Sequence, residues 1–337
     1  MRTTTENPCP AAVTANSWNK KLSLTVVIPV YNREREIKRC LDSIAAQSLA
    51  PERVIVVDDG STDNSAAVAR NHPLRPEVVE GAHAGAAAAR NVGLNLVETQ
   101  WTMFFDSDDT MEPGHIEAAV RSISPEADII GWDVTRIDSA GRRVVKKFEY
   151  KYPVWSNLMD ATLATQRYMA RTELFRKAGG WNPEVGVWDD IELGNRLLTL
   201  NPKIIRIDGN RVNIYQSQQS ITGLRWSDNF DTYHLAFNQL RKNMPADKHG
   251  WLSLKKAVLA ADIYRESPTL GRKLYEEVLS ELNTLTSPAS RNLSKAESVS
   301  GNGIATYIQK ASIRLAYRYR RMGLRGICRL LRPLFIR

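Results

Sequence analysis

Three carboxylates stand directly after a short apolar run in the first third of the chain. The run ends at Phe105 and is typical of a buried strand, where Asp is disfavoured; the acids that follow are Asp106, Asp108 and Asp109. Side chains at i and i+2 point the same way while the chain stays extended, so Asp106 and Asp108 can share one cation. Mg²⁺ and Mn²⁺ prefer carboxylate oxygens and complete their shells with water and phosphate. The segment therefore favours either a metal site for a diphosphate or a turn whose acids cap the helix expected near Pro113.

The elements that must position these acids alternate in type along the first half of the chain. The sequence predicts strands at 24–30, 53–57, 78–79, 101–105 and 128–132, and helices at 35–47, 65–70, 85–97 and 113–123. Such alternation is typical of a mostly parallel central sheet flanked by helices. Beyond residue 133 the pattern predicts a hairpin, helices near 172–178 and 190–200, strands at 204–207 and 212–215, and a wholly helical region from about residue 230.

The predicted strands bring several polar residues to one edge of the sheet. In an open α/β sheet, ligands bind beyond the carboxyl ends of the strands, where loops lead into helices. Those ends carry Pro29 and Tyr31 after the first strand, Asp59 after the second, and Asp106 with Asp108 after the fourth. The sequence therefore predicts that they form one site.

Length and composition predict a soluble globular protein of one or two domains. No apolar run approaches the roughly 20 residues that cross a bilayer, and residues 1–20 lack the apolar core of a signal peptide, so we expect a cytoplasmic chain. The scattered Cys9, Cys40 and Cys328 predict neither disulfides nor a zinc site. We divide the chain into a flexible N-terminal segment at 1–20, a catalytic domain at 21–225, a helical region at 226–297 and a basic amphipathic tail at 298–337.

The formal net charge of +9 lies in the tail, because residues 298–337 hold Lys310, eight Arg and no acid. Arginines recur there every three or four residues, opposite an apolar side made of Ile313, Tyr317, Leu324, Ile327 and Leu331. We favour a helix, within residues 312–337, that lies on an anionic membrane surface. A tail that packs on the protein's own helices is the second interpretation. Nucleic acid is the least favoured partner, because no recognisable binding module accompanies the stripe.

Five segments in this order resemble glycosyltransferase family 2. They are Val27-Ile28-Pro29-Val30-Tyr31-Asn32, Val56-Val57-Asp58-Asp59-Gly60-Ser61-Thr62-Asp63, Gly85 with Ala89-Arg90-Asn91-Val92-Gly93, Asp106-Ser107-Asp108-Asp109, and Trp188-Asp189-Asp190-Ile191-Glu192-Leu193 with Arg196. The resemblance covers residues 24 to about 222. It implies a GT-A nucleotide-diphospho-sugar transferase fold with a helical C-terminal extension. It also implies an inverting enzyme, of hexosyl- or N-acetylhexosaminyl-transferase type, that transfers a sugar from a nucleotide sugar, most plausibly a UDP-sugar, to a glycan or a lipid-linked precursor.

The resemblance also implies roles for individual residues. It assigns the donor nucleotide to Pro29, Tyr31, Asp59, Gly85, Arg90 and Asp106. It assigns Mn²⁺ or Mg²⁺ to Asp108, with Asp106 at the ribose or at a metal-bound water. It makes Asp190 the base that takes the proton of the acceptor hydroxyl. The ordinary structural alternatives are a half-buried Tyr, a turn-forming Asp, a surface Arg, and an acid that favours a helix N-terminus.

One position departs from the family pattern. Family members often carry a His in the segment after the last strand, and here Gln218 stands in its place. A neutral amide is a poorer metal ligand than imidazole, which leaves a third protein ligand in doubt. The alternative function is a non-catalytic nucleotide-sugar-binding or scaffold protein with the same fold, which would need no base at Asp190. Aromatic residues at 132, 181 and 188 and Asp133 flank the space expected for the sugar and the acceptor.

Overall fold

The structure is a computed structural model that describes residues 23–216, 225–284, 301–325 and 327–335. The predicted N-terminal segment at 1–20, the linker near 285–300 and Gln218 lie outside these ranges.

One nine-stranded sheet forms the centre of the first two thirds of the chain. Its strands are β1 (Leu24–Val30), β2 (Arg53–Asp58), β3 (Glu77–Glu80), β4 (Trp101–Phe104), β5 (Thr110–Met111), β6 (Ile129–Ile137), β7 (Arg143–Lys146), β8 (Tyr168–Arg171) and β9 (Ile204–Tyr215). Their order is β3-β2-β1-β4-β8-β6-β9-β5, and β7 pairs with β6 as the predicted hairpin. β1 to β4 run parallel, and all seven residues of β1 are buried because helices cover both faces of the sheet.

Helices cover the sheet and make up the last third of the described chain. They are α1 (Ile37–Ala45), α2 (Ser65–Arg70), α3 (Ala86–Leu96), α4 (His115–Arg121), α5 (Pro153–Asp160), α6 (Thr172–Lys177), α7 (Asp189–Thr199), α8 (Phe230–Asn243), α9 (His249–Glu266), α10 (Pro268–Thr284), α11 (Gly301–Arg321) and α12 (Ile327–Leu331). Short 3₁₀ turns span Thr165–Arg167, Trp226–Asn229, Ala246–Lys248 and Arg332–Leu334.

The predicted fold class is confirmed, with corrections in the second half of the sheet. The strands predicted at 204–207 and 212–215 are one strand, β9, because the turn-like run at Gly209 (φ 94°) is absorbed as an irregularity in the pairing with β6. β8, α5 and the turn Thr165–Arg167 were not predicted. β8 pairs antiparallel with β4 and β6 and so joins the parallel half to the rest of the sheet.

Helix α3 packs unusually close to the sheet. A Cβ atom at Gly93 would lie 2.3 Å from Cγ1 of Val27 in β1 and 3.3 Å from Cγ2 of Val57 in β2. Any larger residue would therefore force the helix or the strands to move. This contact fixes the depth at which α3 lies on the sheet.

The C-terminal helices share one apolar core with the catalytic part of the chain. Side chains of α5 and α7 and of α8 to α12 form a single buried cluster, which includes Trp155, Ile191, Phe237, Leu254 and Ile313. The domain boundary predicted at residue 225 remains a prediction. The shared core contains side chains from both sides of it.

The basic tail packs on the protein through its apolar side. Four of the five residues predicted on that side, Ile313, Tyr317, Ile327 and Leu331, are buried in the shared core, each a contribution of roughly 1.5–3 kcal/mol by area. Leu324 is 44% exposed. Arg320 pairs with Asp262 of α9 through two bonds of 2.7 and 2.9 Å. The apolar residues predicted to enter a membrane are thus used for self-packing, the second interpretation of the sequence. No helix in the described part of the chain is long and apolar enough to span a bilayer.

Candidate functional site

The site lies where β1, β2 and β4 end. β4 pairs with β1 only as far as Val27, whose carbonyl oxygen accepts from Phe105 N at 2.9 Å. Pro29 has no backbone N–H to donate. It faces the same side of β1 as Val27, two residues later and beyond the end of β4, so no hydrogen bond between the strands is lost. The predicted residues after the three strands therefore lie side by side on one rim of the sheet.

Tyr31 forms an aromatic surface at the end of β1. Its side chain is 40% exposed, and its ring stacks on the ring of His83 with centroids 4.3 Å apart and an interplanar angle of 27°. Nδ1 of His83 lies 3.1 Å from the carbonyl oxygen of Asp59, which anchors the imidazole to the same rim. His83 was not predicted as a site residue, because it lies in a loop without periodicity. It stands in the left-handed region with φ 56°.

Asp59 organises the loop that leads into α3. It is 5% exposed, and its two carboxylate oxygens accept from the backbone N–H groups of Ala84 and Gly85 at 2.8 Å each. Gly85 has φ 91°, which favours glycine, and a Cβ there would meet no atom within 4 Å. The predicted pair of Asp59 and Gly85 is thus in direct contact, with open space beside the loop.

Arg90 bridges two carboxylates that belong to different parts of the chain. Its Nη2 donates to Asp106 and its Nη1 to Asp189, both at 2.8 Å. Its guanidinium carbon lies 4.4 Å from the ring centroid of Trp181, which Asn91 fixes through two 2.8 Å hydrogen bonds to the Trp181 backbone. Burial by itself would lower the pKa of Arg90, but the carboxylates of Asp106 and Asp189 outweigh it and raise the pKa. Arg90, predicted to contact the nucleotide, is here a buried link between the acid cluster and α7.

Both oxygens of Asp106 are occupied by protein donors. Oδ1 accepts from Arg90, and Oδ2 accepts from the amide of Gln166. Gln166 is only 7% exposed, and its backbone carbonyl oxygen accepts from the indole N–H of Trp132 at 2.8 Å. Gln166 was not predicted as a site residue, because the 3₁₀ turn that carries it has neither a motif nor a helical period. Asp106 is therefore held rigidly at the end of β4.

Asp108 and Asp109 differ in exposure and in partners. Burial and the neighbouring Asp106 raise the pKa of Asp108 to about 6, and Nε of Arg33 lies 3.8 Å from its Oδ2. Asp109 is 1% exposed, and burial followed by the charge of Asp108 raises its pKa well above the usual range. Its Oδ1 accepts from Tyr215 N at 2.9 Å, which ties the cluster to the end of β9. Asp109 is thus a structural acid, and Asp108 is the more exposed of the two.

The acid cluster suits a hard divalent cation only in part. Raised pKa values in crowded carboxylates mean that positive charge nearby would be favourable, and Asp108 supplies the type of oxygen that Mn²⁺ or Mg²⁺ binds. Asp106 is committed to Arg90 and Gln166. In the part of the chain that the structure describes, no three His, Cys, Asp or Glu side chains are grouped to surround a metal. The donors therefore fit an ion held by one or two carboxylates and completed by water and phosphate.

Asp189 and Asp190 begin α7 beside this cluster. Trp188 precedes them in the left-handed region with φ 56°, an uncommon conformation for a bulky residue. Asp189 is held by Arg90, whereas Oδ1 of Asp190 accepts from the N–H of Ile191, at 2.7 Å. Burial, and then the charge of Asp189, raises the pKa of Asp190 to about 7. Asp190 is therefore a carboxylate poised to take up a proton near neutral pH.

The other aromatic residues predicted near the site have structural roles. Trp132 is fully buried, and Trp181 is 2% exposed beneath Arg90. Asp133 accepts from the N–H of Phe148 at 2.8 Å and pairs with Lys147 and Arg206. Trp188 is half-buried and lies against Tyr233 and Phe237 of α8. Of these residues, Trp188 lies nearest to Asp190 in the chain.

Comparisons with known proteins agree with this arrangement. The model of the family described as Glycosyl transferase family 2 matches residues 25–179. Glycosyltransferase GlyA of Streptococcus pneumoniae is 39% identical over 110 residues, which are 32% of this chain and 16% of GlyA. The succinoglycan biosynthesis protein ExoW of Rhizobium meliloti is 38% identical over 108 residues, which are 30% of this chain and 34% of ExoW. The chain thus spans well under half the length of these two relatives.

A solved structure extends the comparison to the C-terminal helices. Residues 1–349 of Staphylococcus aureus TarS, in complex with UDP-GlcNAc, match with a TM-score of 0.59 and 18% identity, over 89% of this chain and 91% of that chain. At this identity the match concerns the fold: a curled sheet flanked by helices, followed by further helices. Residues 25–179 thus form a glycosyl transferase family 2 domain.

Proposed function

We propose that the protein is a metal-dependent inverting glycosyltransferase that moves a sugar from a UDP-sugar to a hydroxyl of a cell-surface glycan or its lipid-linked precursor. The observation that carries the proposal is the continuous set of contacts from Gln166 through Asp106, Arg90 and Asp189 to α7. These contacts link the acid cluster, in which Asp108 is free to hold a cation, to the start of α7, where burial and Asp189 raise the pKa of Asp190 to about 7. A protein that only binds nucleotide sugars does not need a carboxylate such as Asp190 to take up a proton.

Asp190 is the proposed base. The acceptor hydroxyl oxygen attacks the anomeric carbon from the face opposite the diphosphate, its proton passes to a carboxylate oxygen of Asp190, and the bond from that carbon to the diphosphate oxygen breaks. The displacement inverts the anomeric configuration. Trp188 and the backbone of α7 hold the carboxylate of Asp190 on the acceptor side.

The donor nucleotide is assigned to the rim. Tyr31, stacked on His83, offers a ring face for the base, and each Asp59 oxygen has a second lone pair for an N–H of a pyrimidine. Gly85 leaves open space for close approach of the ligand to the backbone. The complexes of TarS with UDP-GlcNAc and with UDP support the choice of UDP.

Asp108 is the proposed direct ligand of Mn²⁺ or Mg²⁺, and Asp106 would face the ribose or a metal-bound water. The bound ion would neutralise the charge that develops on the departing diphosphate. Arg90 and Gln166 keep Asp106 in place whether or not the ion is present.

Donor binding is measured by thermal unfolding with a panel of nucleotide sugars, with and without Mn²⁺. We expect UDP-sugars with Mn²⁺ to raise the Tm, since a ligand at 100 times its Kd adds about 2.7 kcal/mol. Asp108→Asn should lose most of the Mn²⁺-dependent part of this rise in Tm. The control Asp208→Asn changes a fully exposed acid on β9 and should respond as wild type. If no nucleotide sugar stabilises the wild-type protein, the proposed function is wrong.

Attachment to the cytoplasmic face of a membrane is the proposed location. The tail exposes six arginines spaced three or four residues apart: Arg314, Arg318, Arg321, Arg325, Arg329 and Arg332. Apolar residues among them are exposed as well: Leu315, Met322, Leu324, Leu330 and Leu334. Such a surface fits anionic headgroups, at about 1 kcal/mol per basic residue. Of these apolar residues, Leu324 alone belongs to the side predicted to enter the bilayer.

Cosedimentation with vesicles containing phosphatidylglycerol tests this location. We expect binding at low salt that weakens as salt rises, and at least a several-fold loss in Met322→Ser/Leu330→Ser, both of which are 70% exposed. Leu235→Ser, an exposed Leu on α8, is the matched control and should bind normally. Absence of wild-type binding at low salt would rule out the membrane surface.

A further inference from the structure

The cation of Lys255 lies beside the proposed base and has no carboxylate to pair with. Its Nζ is 3.5 Å from the carbonyl oxygen of Met159 and 4.6 Å from the ring centroid of Trp188, two residues before Asp190. Among the described residues no acid lies within ion-pair distance of it, and burial lowers its pKa. Its neighbour Lys256 shows the usual arrangement, with Glu277 and Glu281 at 2.9 and 2.8 Å. Lys255 is half-buried, and an ammonium withdrawn from water without a carboxylate partner is costly unless an anion joins it.

Arg167 is a second cation of this kind. It is 4% exposed, and its Nη atoms donate to the backbone carbonyl oxygens of Asp160, Ala161 and Lys147. Its Nε is buried without a partner, and burial lowers the pKa of the guanidinium to about 10. Neutral carbonyls satisfy hydrogen bonds, but they leave the charge uncompensated. Arg167 therefore presents positive charge without a direct ion pair.

The two cations lie on the proposed acceptor side of the site, and further basic residues extend from them to the surface. Both interact electrostatically with Asp190 and with the exposed Asp160. The pKa of Lys146 in β7 is lowered by partial burial and by the positive charges of Arg136, Arg167 and Arg329. Lys146 and Arg329 are both exposed. The other acids that act on this group are Asp133 and Glu149 at Arg167 and Asp262 at Lys255. Asp133 already pairs with Lys147 and Arg206, and Asp262 with Arg320, so neither supplies a direct ion pair to Arg167 or Lys255.

Building on the proposed function, we propose that Lys255, Arg167, Lys146 and Arg329 form an anion-binding subsite that holds a phosphate ester of the acceptor next to the hydroxyl that is glycosylated. A phosphate would supply an anionic partner for the buried Arg167 and the half-buried Lys255. The exposed pair would bind a neighbouring phosphate or steer the acceptor inward. The tail thus contributes to acceptor recognition through Arg329.

Titration of the protein with inorganic phosphate, at saturating UDP and Mg²⁺, tests the subsite. The readout is the indole N–H signal of Trp188 in ¹⁵N-labelled protein, assigned with Trp188→Phe. We expect this signal to move with phosphate in the wild type and to lose most of its response in Lys255→Met. The matched control is Lys248→Met, because Lys248 lies 4.8 Å from the ring of Trp251, away from the base, and should leave the response intact. Lys146→Gln/Arg329→Gln, at exposed positions, should weaken phosphate binding several-fold without affecting folding.

The outcomes separate this proposal from the proposed function. If UDP fails to bind, the proposed function fails first, and UDP titration shows this independently. The acceptor subsite is wrong if UDP binds but the Trp188 signal does not move when phosphate is added. It is also wrong if UDP displaces the phosphate. Competition with a soluble polyol-phosphate oligomer and with a diphosphate-linked lipid in vesicles then identifies the source of the phosphate, and displacement by neither overturns the assignment to the acceptor.

Discussion

Asp190→Asn is expected to lose about 10²- to 10⁴-fold in kcat/KM, the usual worth of general-base assistance, while UDP affinity stays within twofold of wild type. The amide keeps the size and the contact with Ile191, but it cannot accept the proton of the hydroxyl. Transfer rate and UDP binding are measured separately. Asp231→Asn, which removes an exposed acid from the first turn of α8, is the control for a simple helix-dipole effect. Near-normal turnover in Asp190→Asn would mean that another group takes the proton.

The pH dependence provides a second measure of the same residue. The pKa of Asp190 is raised to about 7 by burial and then by Asp189. Because a base works in its ionised form, log kcat/KM should rise by about one unit per pH unit below 7 and level off above it. The residual activity of Asp190→Asn should lack this step. A wild-type profile that is flat from pH 5 to 8 would contradict the assignment.

Arg90→Met is expected to destabilise the protein by about 3–5 kcal/mol, the range for removing one partner of a buried ion pair. The change leaves the carboxylates of Asp106 and Asp189 facing each other without their shared cation. Denaturant unfolding measures the loss. Arg53→Met is the matched control, because Arg53 also pairs with two acids but at the surface, where about 1 kcal/mol or less is expected.

The sign of the pH effect identifies the cause. Burial raises the folded-state pKa of Asp189 and Arg90 opposes this, so without Arg90 the pKa of Asp189 should lie further above its unfolded value. Such groups stabilise below the unfolded pKa and lose that contribution as pH rises through the folded pKa. The difference between Arg90→Met and wild type should therefore shrink from pH 8 to pH 5. A difference independent of pH would indicate lost packing on Trp181 instead.

The parallel half of the sheet could be predicted because each strand is a continuous apolar run that ends in polar residues. β1 was predicted to the residue, and the rule that ligands bind beyond strand ends placed Asp59 and Asp106 on one rim. Their partners could not be predicted. Gln166 reaches Asp106 from a 3₁₀ turn, and Asp189 meets Arg90 across the fold, so only tertiary structure brings them together.

The tail shows a different limit of sequence reasoning. Its period correctly predicted one apolar and one basic side, but the same pattern fits a membrane surface and a protein core equally well. The choice depended on whether α9 and α10 offered an apolar surface of matching shape, as in the stack of Tyr317 on Tyr275 with ring centroids 3.6 Å apart. Such a surface exists only once those helices have folded.

Gly93 has a consequence for the chemistry as well as for packing. It stands one helical turn beyond Arg90, and its missing side chain lets α3 rest directly on Val27 and Val57. The reach of the Arg90 guanidinium, and hence the spacing between the acids on either side of it, depends on how deeply α3 is seated. A single methyl group at position 93 would lift the helix and move the leaving-group side of the site relative to the acceptor side. The separation of the two halves of the reaction is thus set from beneath, by a residue that contacts neither substrate.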